Sequence, residues 1–372
     1  MDMPPFLLDH WLAKYQFASP PIAYDLASST GPKWTVRELL SLAGGGSRLD
    51  DVTVSYAPPE GSRALREAIG AFLGVDPDWV VVTTGASEAL SVLFCLAARL
   101  GGNVVLPSPA FPAFEVMATV WGLGARHYSM AREDNYRLSA ADVLGATDGE
   151  TVLALVNTPH NPTGAIMPPD EIGTLAAALA ERSVPLIVDE VYHPLYFDAR
   201  PASAASVDNV LVIGDMSKAL SLAGLRMGWI VDADPERRKK IIDARSYFTI
   251  SSSPVLETLA TDALLHREAL LAKLQVVAEE NLAALSAHME RVADILAWVK
   301  PAGGTVAFPW FCDGPDSRPF CEALAARGVL VAPGDCFAMP DHMRVGFAVL
   351  KRDEFAEALS IFERTLREHS RA

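Results

Sequence analysis

From about residue 50 onward, short runs of apolar, often β-branched residues alternate with longer stretches in which apolar positions recur every three or four residues. The short runs predict strands over Trp79–Thr83, Asn103–Leu106, Thr151–Asn157, Pro185–Val188, Val210–Gly214 and Met227–Asp232. The longer stretches predict helices over Ser87–Leu100, Pro168–Glu181 and Pro235–Ala244. Strands that alternate with helices build a mainly parallel sheet, because a parallel neighbour needs a crossover long enough to hold a helix, and the helices then cover both faces. From Glu257 to Trp298 the pattern is almost wholly helical, read as two helices with a break between them. Beyond it come a strand over Thr305–Phe311, a helix over Ser317–Arg327, strands over Val329–Ala332 and Met343–Phe347, and a terminal helix from Arg352. The expected fold class is therefore α/β. A large domain over residues 46–275 holds the mainly parallel sheet between helices, and a smaller α+β domain spans 276–372. The first 45 residues show no sheet of their own and are expected to pack on the smaller domain.

The chain's 372 residues suffice for two or three cores. With half the residues hydrophobic and 21% charged, the composition is that of a soluble globular enzyme. A net charge of −15 argues against nucleic acid or an anionic membrane as partner, since either would be repelled. No apolar run reaches 18 residues, so no membrane span is expected. The N-terminal stretch lacks a long apolar core and a small-residue cleavage site, which argues for a cytoplasmic protein. Cys95, Cys312, Cys321 and Cys336 form no CxxC pair and are read as reduced thiols. No HExxH occurs, and no metal is expected.

Candidate chemistry falls in four segments, each following a predicted strand. Thr84-Gly85-Ala86-Ser87-Glu88 opens a helix, where free N–H groups and the helix dipole favour an anion and Gly85 lets the backbone approach it. The same residues also suit a plain turn capped by Ser87. Asn157-Thr158-Pro159-His160-Asn161-Pro162-Thr163-Gly164 is a loop stiffened by two prolines at the carboxyl end of a strand, where open α/β sheets bind ligands. Asn161 is placed there to donate a fixed hydrogen bond. Asp189 ends an apolar strand, so its carboxylate should lie deep and need a cation, with Tyr192 close behind; an acidic cap on the next helix is the plainer alternative. Ser217-Lys218 follows another strand, and Arg226 comes eight residues later. A lysine desolvated among cations loses pKa and becomes an amine nucleophile, and a guanidinium fork suits phosphate.

In this order, the segments TGASEAL, NTPHNPTG, DEVY, SKAL and GLRMGW resemble the class I/II aminotransferases, pyridoxal-5′-phosphate (PLP) enzymes of fold type I in the aspartate aminotransferase superfamily. The resemblance runs from about Asp25 to Phe347. It implies PLP as cofactor, joined to Lys218 as a Schiff base, with Gly85, Ala86, Ser87, Ser217 and Arg226 around its phosphate. It further implies that Asp189 keeps the pyridine nitrogen protonated, that Asn161 and Tyr192 bond the phenolate oxygen, and that Phe111 stacks on the ring, where core packing is the alternative reading. Tyr56 would reach the phosphate in the partner subunit of a homodimer, and the segment 245–253 would cross that interface toward the neighbour's substrate. Arg344 and Asn161 would hold the substrate carboxylate, and Ser29-Thr30-Gly31 would close over it. His10-Trp11-Leu12, Arg245–Thr249 and Gly303–Phe308 resemble capreomycidine-synthase-like members, a hint about subfamily.

The activity so implied is transfer of an amino group from an L-amino acid to a 2-oxo acid, with Lys218 moving the α-proton. Other reactions on the same scaffold stay open: β- or γ-elimination, cyclisation of an arginine derivative, or oxidation. A PLP-binding regulator without turnover would need a DNA-binding helix-turn-helix, for which the first 40 or so acidic-leaning residues leave no room. Asp215 departs from the family, which usually has Ser or Thr three residues before the lysine. A carboxylate cannot donate to phosphate, and at ~5 Å it is repelled by about 3 kcal/mol per unit charge at an effective dielectric of ~20. Either Asp215 turns away to a cation, or it faces the substrate and favours a basic side chain.

Overall fold

In the computed structural model residues 4–16, 18–44 and 48–371 are described; residues 1–3, 17, 45–47 and 372 lie outside the described residues. A two-residue strand, β1 (Tyr24–Asp25), precedes the main sheet. That sheet is built from β2 (Val80–Thr83), β3 (Asn103–Ser108), β4 (Gly124–Ser129), β5 (Thr151–Asn157), β6 (Leu186–Asp189), β7 (Val210–Asp215) and β8 (Gly228–Asp232). Their order is β2-β8-β7-β6-β5-β3-β4. Only β8 runs against its neighbours β2 and β7, so the fold is α/β with a mainly parallel sheet, as the alternating pattern predicts.

The strands are apolar throughout because both faces are covered, and successive side chains go to opposite faces. Leu186 and Val188 join one buried cluster and Ile187 the other; Val210 and Val212 alternate with Leu211 and Ile213 in the same way. On one face lie Leu90, Leu93 and Phe94 of the helix Gly85–Ala98 and Ile241 of the helix Pro235–Arg245. On the other lie Ile172, Leu175 and Leu179 of the helix Pro169–Ala180. The pattern missed β4, an edge strand whose Gly-Ala-Arg-His-Tyr-Ser side chains are mostly exposed and so carry no apolar alternation.

The helical stretch after Glu257 resolves into Pro254–Leu265 and Arg267–Arg291, broken at His266. It ends before Trp298: β9 (Leu296–Ala297) pairs with β11 (Trp310–Phe311), so the last part of the predicted helix is strand instead. The predicted strand Thr305–Phe311 is split into β10 (Val306–Ala307) and β11, and Val329–Ala332 into β12 (Val329–Leu330) and β13 (Ala332–Pro333). β14 (Met343–Gly346) lies between β10 and β13. The N-terminal segment reaches this region: β1 pairs in parallel with β12, and Trp11 Nε1 donates to Val331 O at 2.8 Å. Among the described residues no helix is long and apolar enough to cross a membrane.

Candidate active site

Several strand ends meet at one edge of the main sheet. β5 ends at Asn157 and β6 at Asp189, which are register partners. β7 ends at Asp215 opposite Gly228, and Gly228 in turn faces Thr83 at the end of β2. Loops leaving these ends enclose a cavity of about 180 Å³. Ala86, Ser87, Phe111, Asn161, Asp189, Tyr192, Ser217, Lys218 and Arg226 line it, so residues spread over 140 positions in the chain meet at one cavity. Asn157 and Asp215 line it as well.

Gly85 begins the helix Gly85–Ala98 at φ +72°, and a Cβ there would lie 2.5 Å from Arg226 Nη2. No side chain caps this helix, so the N–H groups of its first turn are open to an anion. Arg226 Nη1 donates to Ala223 O at 3.2 Å and reaches Ser217 Oγ at 3.5 Å; no carboxylate among the described residues pairs with it. An uncapped helix start beside an unpaired guanidinium suits a phosphate group.

Lys218 Nζ donates to Ser29 Oγ at 2.8 Å. Burial pushes its pKa down to about 8; Arg344 and Arg226 act in the same direction, while Asp215 and Asp189 oppose. The Asp189 carboxylate accepts the Val191 N–H at 3.1 Å and forms no ion pair among the described residues. Burial pushes its pKa up to about 7, and the nearby Asp215 charge adds to the rise. The Tyr192 hydroxyl is buried without a hydrogen-bond partner, although Ser29 and Thr305 flank it, and burial raises its pKa. A deep carboxylate lacking a cation and a phenol lacking a partner are both costly. A bound ring with a protonated nitrogen and a phenolate oxygen would satisfy both.

Arg344, on β14, is 1% exposed. Nη1 donates to Asn161 Oδ1 at 3.1 Å and Nη2 to Ala27 O at 2.7 Å, while Nε has no partner. Burial without a counter-ion lowers its pKa, and a ligand carboxylate would supply the missing charge. Asn161 is itself held by Asn157, whose Oδ1 accepts the Asn161 N–H at 2.7 Å and whose Nδ2 donates to Asp189 O at 3.0 Å. The bracing role of Asn157 escaped the sequence reading; its only signal is a polar residue closing an apolar strand.

In the N-terminal loop, Ser29 touches Lys218, and Thr305 Oγ1 donates to Ser29 O at 2.8 Å. Thr30 instead pairs with Ser28 Oγ at 2.9 Å, and Gly31 packs so closely on Ser221 and Leu274 that a Cβ would collide with both. Tyr56 is not brought to the cavity of its own chain: it is 81% exposed, beside a separate cleft with Ser62 and Glu257. Of the segment 245–253, Arg245 does not point outward. Its side chain is wholly buried and donates within its own chain to Pro59 O, Ile250 O and Ser252 Oγ, with the Glu88 carboxylate 3.7 Å away. Asp215 lines the cavity rather than turning to a cation: Oδ1 accepts the Ser217 N–H at 2.9 Å and Oδ2 the Ser217 hydroxyl at 2.8 Å, with no ion pair among the described residues.

The profile of the family "Aminotransferase class I and II" matches residues 42–362. Capreomycidine synthase of Streptomyces vinaceus is 32% identical over 99% of this chain and 95% of its own length. The aspartate/prephenate aminotransferase of Thermus thermophilus is 28% identical over 84% of this chain and 83% of its own. The solved structure of the PLP-dependent cyclase OrfR superposes with a TM-score of 0.89 at 25% identity, covering 99% of this chain and 98% of that one. The chain belongs to the class I and II aminotransferases and is a PLP-dependent enzyme of fold type I.

Proposed function

We propose that the enzyme moves the amino group of an L-amino acid with a cationic side chain to a 2-oxo acid, at the cavity beside Lys218. PLP, when bound, supplies the electron sink for the pair left at Cα. The residues divide the remaining work. The helix start at Gly85-Ala86-Ser87, with Arg226, holds the phosphate, and Ser217, whose N–H and hydroxyl both go to Asp215, lines the wall beside it. Asp189 keeps a proton on the ring nitrogen, Tyr192 bonds the phenolate oxygen, and Phe111 covers a ring face. Arg344 grips the α-carboxylate beside Asn161, which aligns Cα–H with Lys218. Lys218, its pKa already lowered by burial, takes the α-proton and returns it.

Asp215 is the observation that carries the substrate side. It stands at the cavity wall with no ion pair among the described residues, sensed by the Lys218 ammonium but not paired with it, and its own turn fixes both oxygens. A guanidinium or ammonium on the substrate would offset that charge. Asp9, on the N-terminal helix, is close enough to feel the charge of Lys218 and adds to the negative field. An amino-donor panel with and without 2-oxoglutarate or pyruvate tests this reading. Arginine-like donors are expected to turn over only when a 2-oxo acid is present. In Asp215→Ser, PLP affinity should stay the same or tighten, while turnover of cationic donors falls about tenfold or more relative to neutral ones. PLP binding weakened more than about tenfold in a folded Asp215→Ser, or an even loss across all donors, would contradict it.

One observation favours a second reaction, cyclisation of an arginine derivative. The likeness to capreomycidine synthase extends over the N-terminal segment that the family profile leaves out. In this chain that segment brings Phe6 edge-on to Phe111 at 5.9 Å. Steady turnover of such a substrate with no 2-oxo acid present separates this reaction from transamination, which stops after one half-reaction.

We further propose a homodimer that shares its sites. Val54, Tyr56, Tyr247, Phe248 and Ile250 are exposed apolar side chains on two segments that one buried residue, Arg245, ties together through Pro59 O and Ile250 O. Mixing inactive Lys218→Ala subunits with inactive Tyr56→Ala subunits should restore activity, because a mixed dimer regains one site with both native residues. Verified subunit exchange with no recovery would count against sharing.

A further inference from the structure

A cavity of about 610 Å³, larger than the one beside Lys218, opens at the opposite end of the main sheet, where β5, β6 and β7 begin. It is a wedge between the helices Gly85–Ala98 and Pro235–Arg245. Its floor is apolar and belongs to the core: Leu93, Leu153, Leu211 and Ile241 are all buried. Its volume falls within the ~300–1,000 Å³ typical of small-molecule pockets, which pair an apolar lining with a few polar groups.

Beside Ser183 and Asn209, whose Nδ2 is taken up by Ala176 O and Val184 O, the polar groups are cations. Arg237 is taken up by Asp232, to which it donates twice, at 2.7 and 2.6 Å. Arg99 and Lys240 also border the cavity and are exposed, and neither side chain has a hydrogen bond or ion pair with any described residue. In a chain with 46 acidic and only 31 basic residues, two unpaired cations flanking one apolar wedge run against the overall charge. Their charges are offset by no ion pair among the described residues.

We propose that this wedge is a second ligand site, separate from the Lys218 cavity, that binds an amphiphilic carboxylate with its aliphatic chain on the Leu93–Leu211 floor and its headgroup between Arg99 and Lys240. The apolar part gains by leaving water, and the carboxylate supplies the counter-charge that the chain itself does not.

Titration calorimetry of the PLP-loaded enzyme with decanoate, kept below its micelle concentration, tests the assignment. Saturable binding of one decanoate per chain is expected, unaffected by saturating amino-acid substrate. The double variant Arg99→Ala/Lys240→Ala alters only exposed side chains and should bind about tenfold more weakly. Leu96→Trp fills the wedge and should abolish binding, with melting temperature and turnover of the ligand-free enzyme serving as the folding control. Decyltrimethylammonium, with the same chain and a cationic head, should not compete. Absence of saturable decanoate binding, binding unchanged in either folded variant, or displacement by substrate overturns the proposal.

Discussion

Lys218→Ala is expected to lower turnover by at least ~10³-fold, since it removes both the amine that joins the cofactor and the group that moves the α-proton. The variant should still retain PLP, because the helix start at Gly85 and the Arg226 guanidinium do not depend on the lysine. Borohydride reduction followed by peptide mapping gives the direct reading: the pyridoxyl group is fixed at Lys218 in the native protein and nowhere in the variant. A pyridoxyl group on any other lysine would overturn the assignment. The lowered pKa adds a second readout. With a pKa of about 8, the ε-amine is half neutral near pH 8, where an ordinary lysine is almost wholly charged. Imine formation by the PLP-free protein should therefore rise through pH 8 and level off well before pH 10. A rise that continues to pH 10 would mean an exposed, ordinary lysine.

Asp189→Asn should stabilise the PLP-free protein at alkaline pH while lowering turnover by orders of magnitude. In the folded chain burial pushes the Asp189 pKa up to about 7, from an ordinary value of 3.8. Between those pH values the folded state holds a proton that the unfolded state has lost, so stability falls as pH rises. The stability present below about pH 4 is lost by pH 7, a change of about 4 kcal/mol at 1.36 kcal/mol per pKa unit. Asparagine carries no charge to bury and escapes this loss. PLP-free Asp189→Asn should therefore melt close to the native protein near pH 4 and well above it at pH 8. Turnover falls because a neutral amide cannot hold a proton on the ring nitrogen. The charge is kept for function at a cost in stability. Equal melting temperatures of the two PLP-free proteins at pH 8 would show that Asp189 is not the buried, unpaired carboxylate described.

Period and punctuation made most of the large domain legible. Strands such as Thr151–Asn157 are apolar on both faces and end in polar residues, and the ends of β2, β5, β6 and β7 each lead to a candidate site residue. That is why Asn161, Asp189, Lys218 and Arg226 could be named together before any geometry was known. The alternation failed at Gly124–Ser129, an edge strand with mostly exposed side chains, and at Ile295–Trp298, where a two-residue strand is too short to show a period. Local pattern alone could not tell which residue of Ser29-Thr30-Gly31 touches Lys218, because that contact spans 189 residues and depends on how the N-terminal loop packs on Thr305.

Charged side chains, whose direction depends on which partners the packed fold leaves within reach, were the least legible. Arg245 sits in a segment that resembles an interface crossing, yet carbonyls at Pro59 and Ile250 and the Ser252 hydroxyl draw it into its own core. Asp215 had two possible directions, and the Ser217 N–H and hydroxyl, two residues away, turn it to the cavity wall. By itself the sequence determined the sheet, its helical cover and the motif residues at the strand ends, since local periodicity and turn chemistry encode them. Only the tertiary structure decided which charges are paired, which are buried alone and which face the cavity, because those outcomes depend on what packing brings within reach of each side chain rather than on local period.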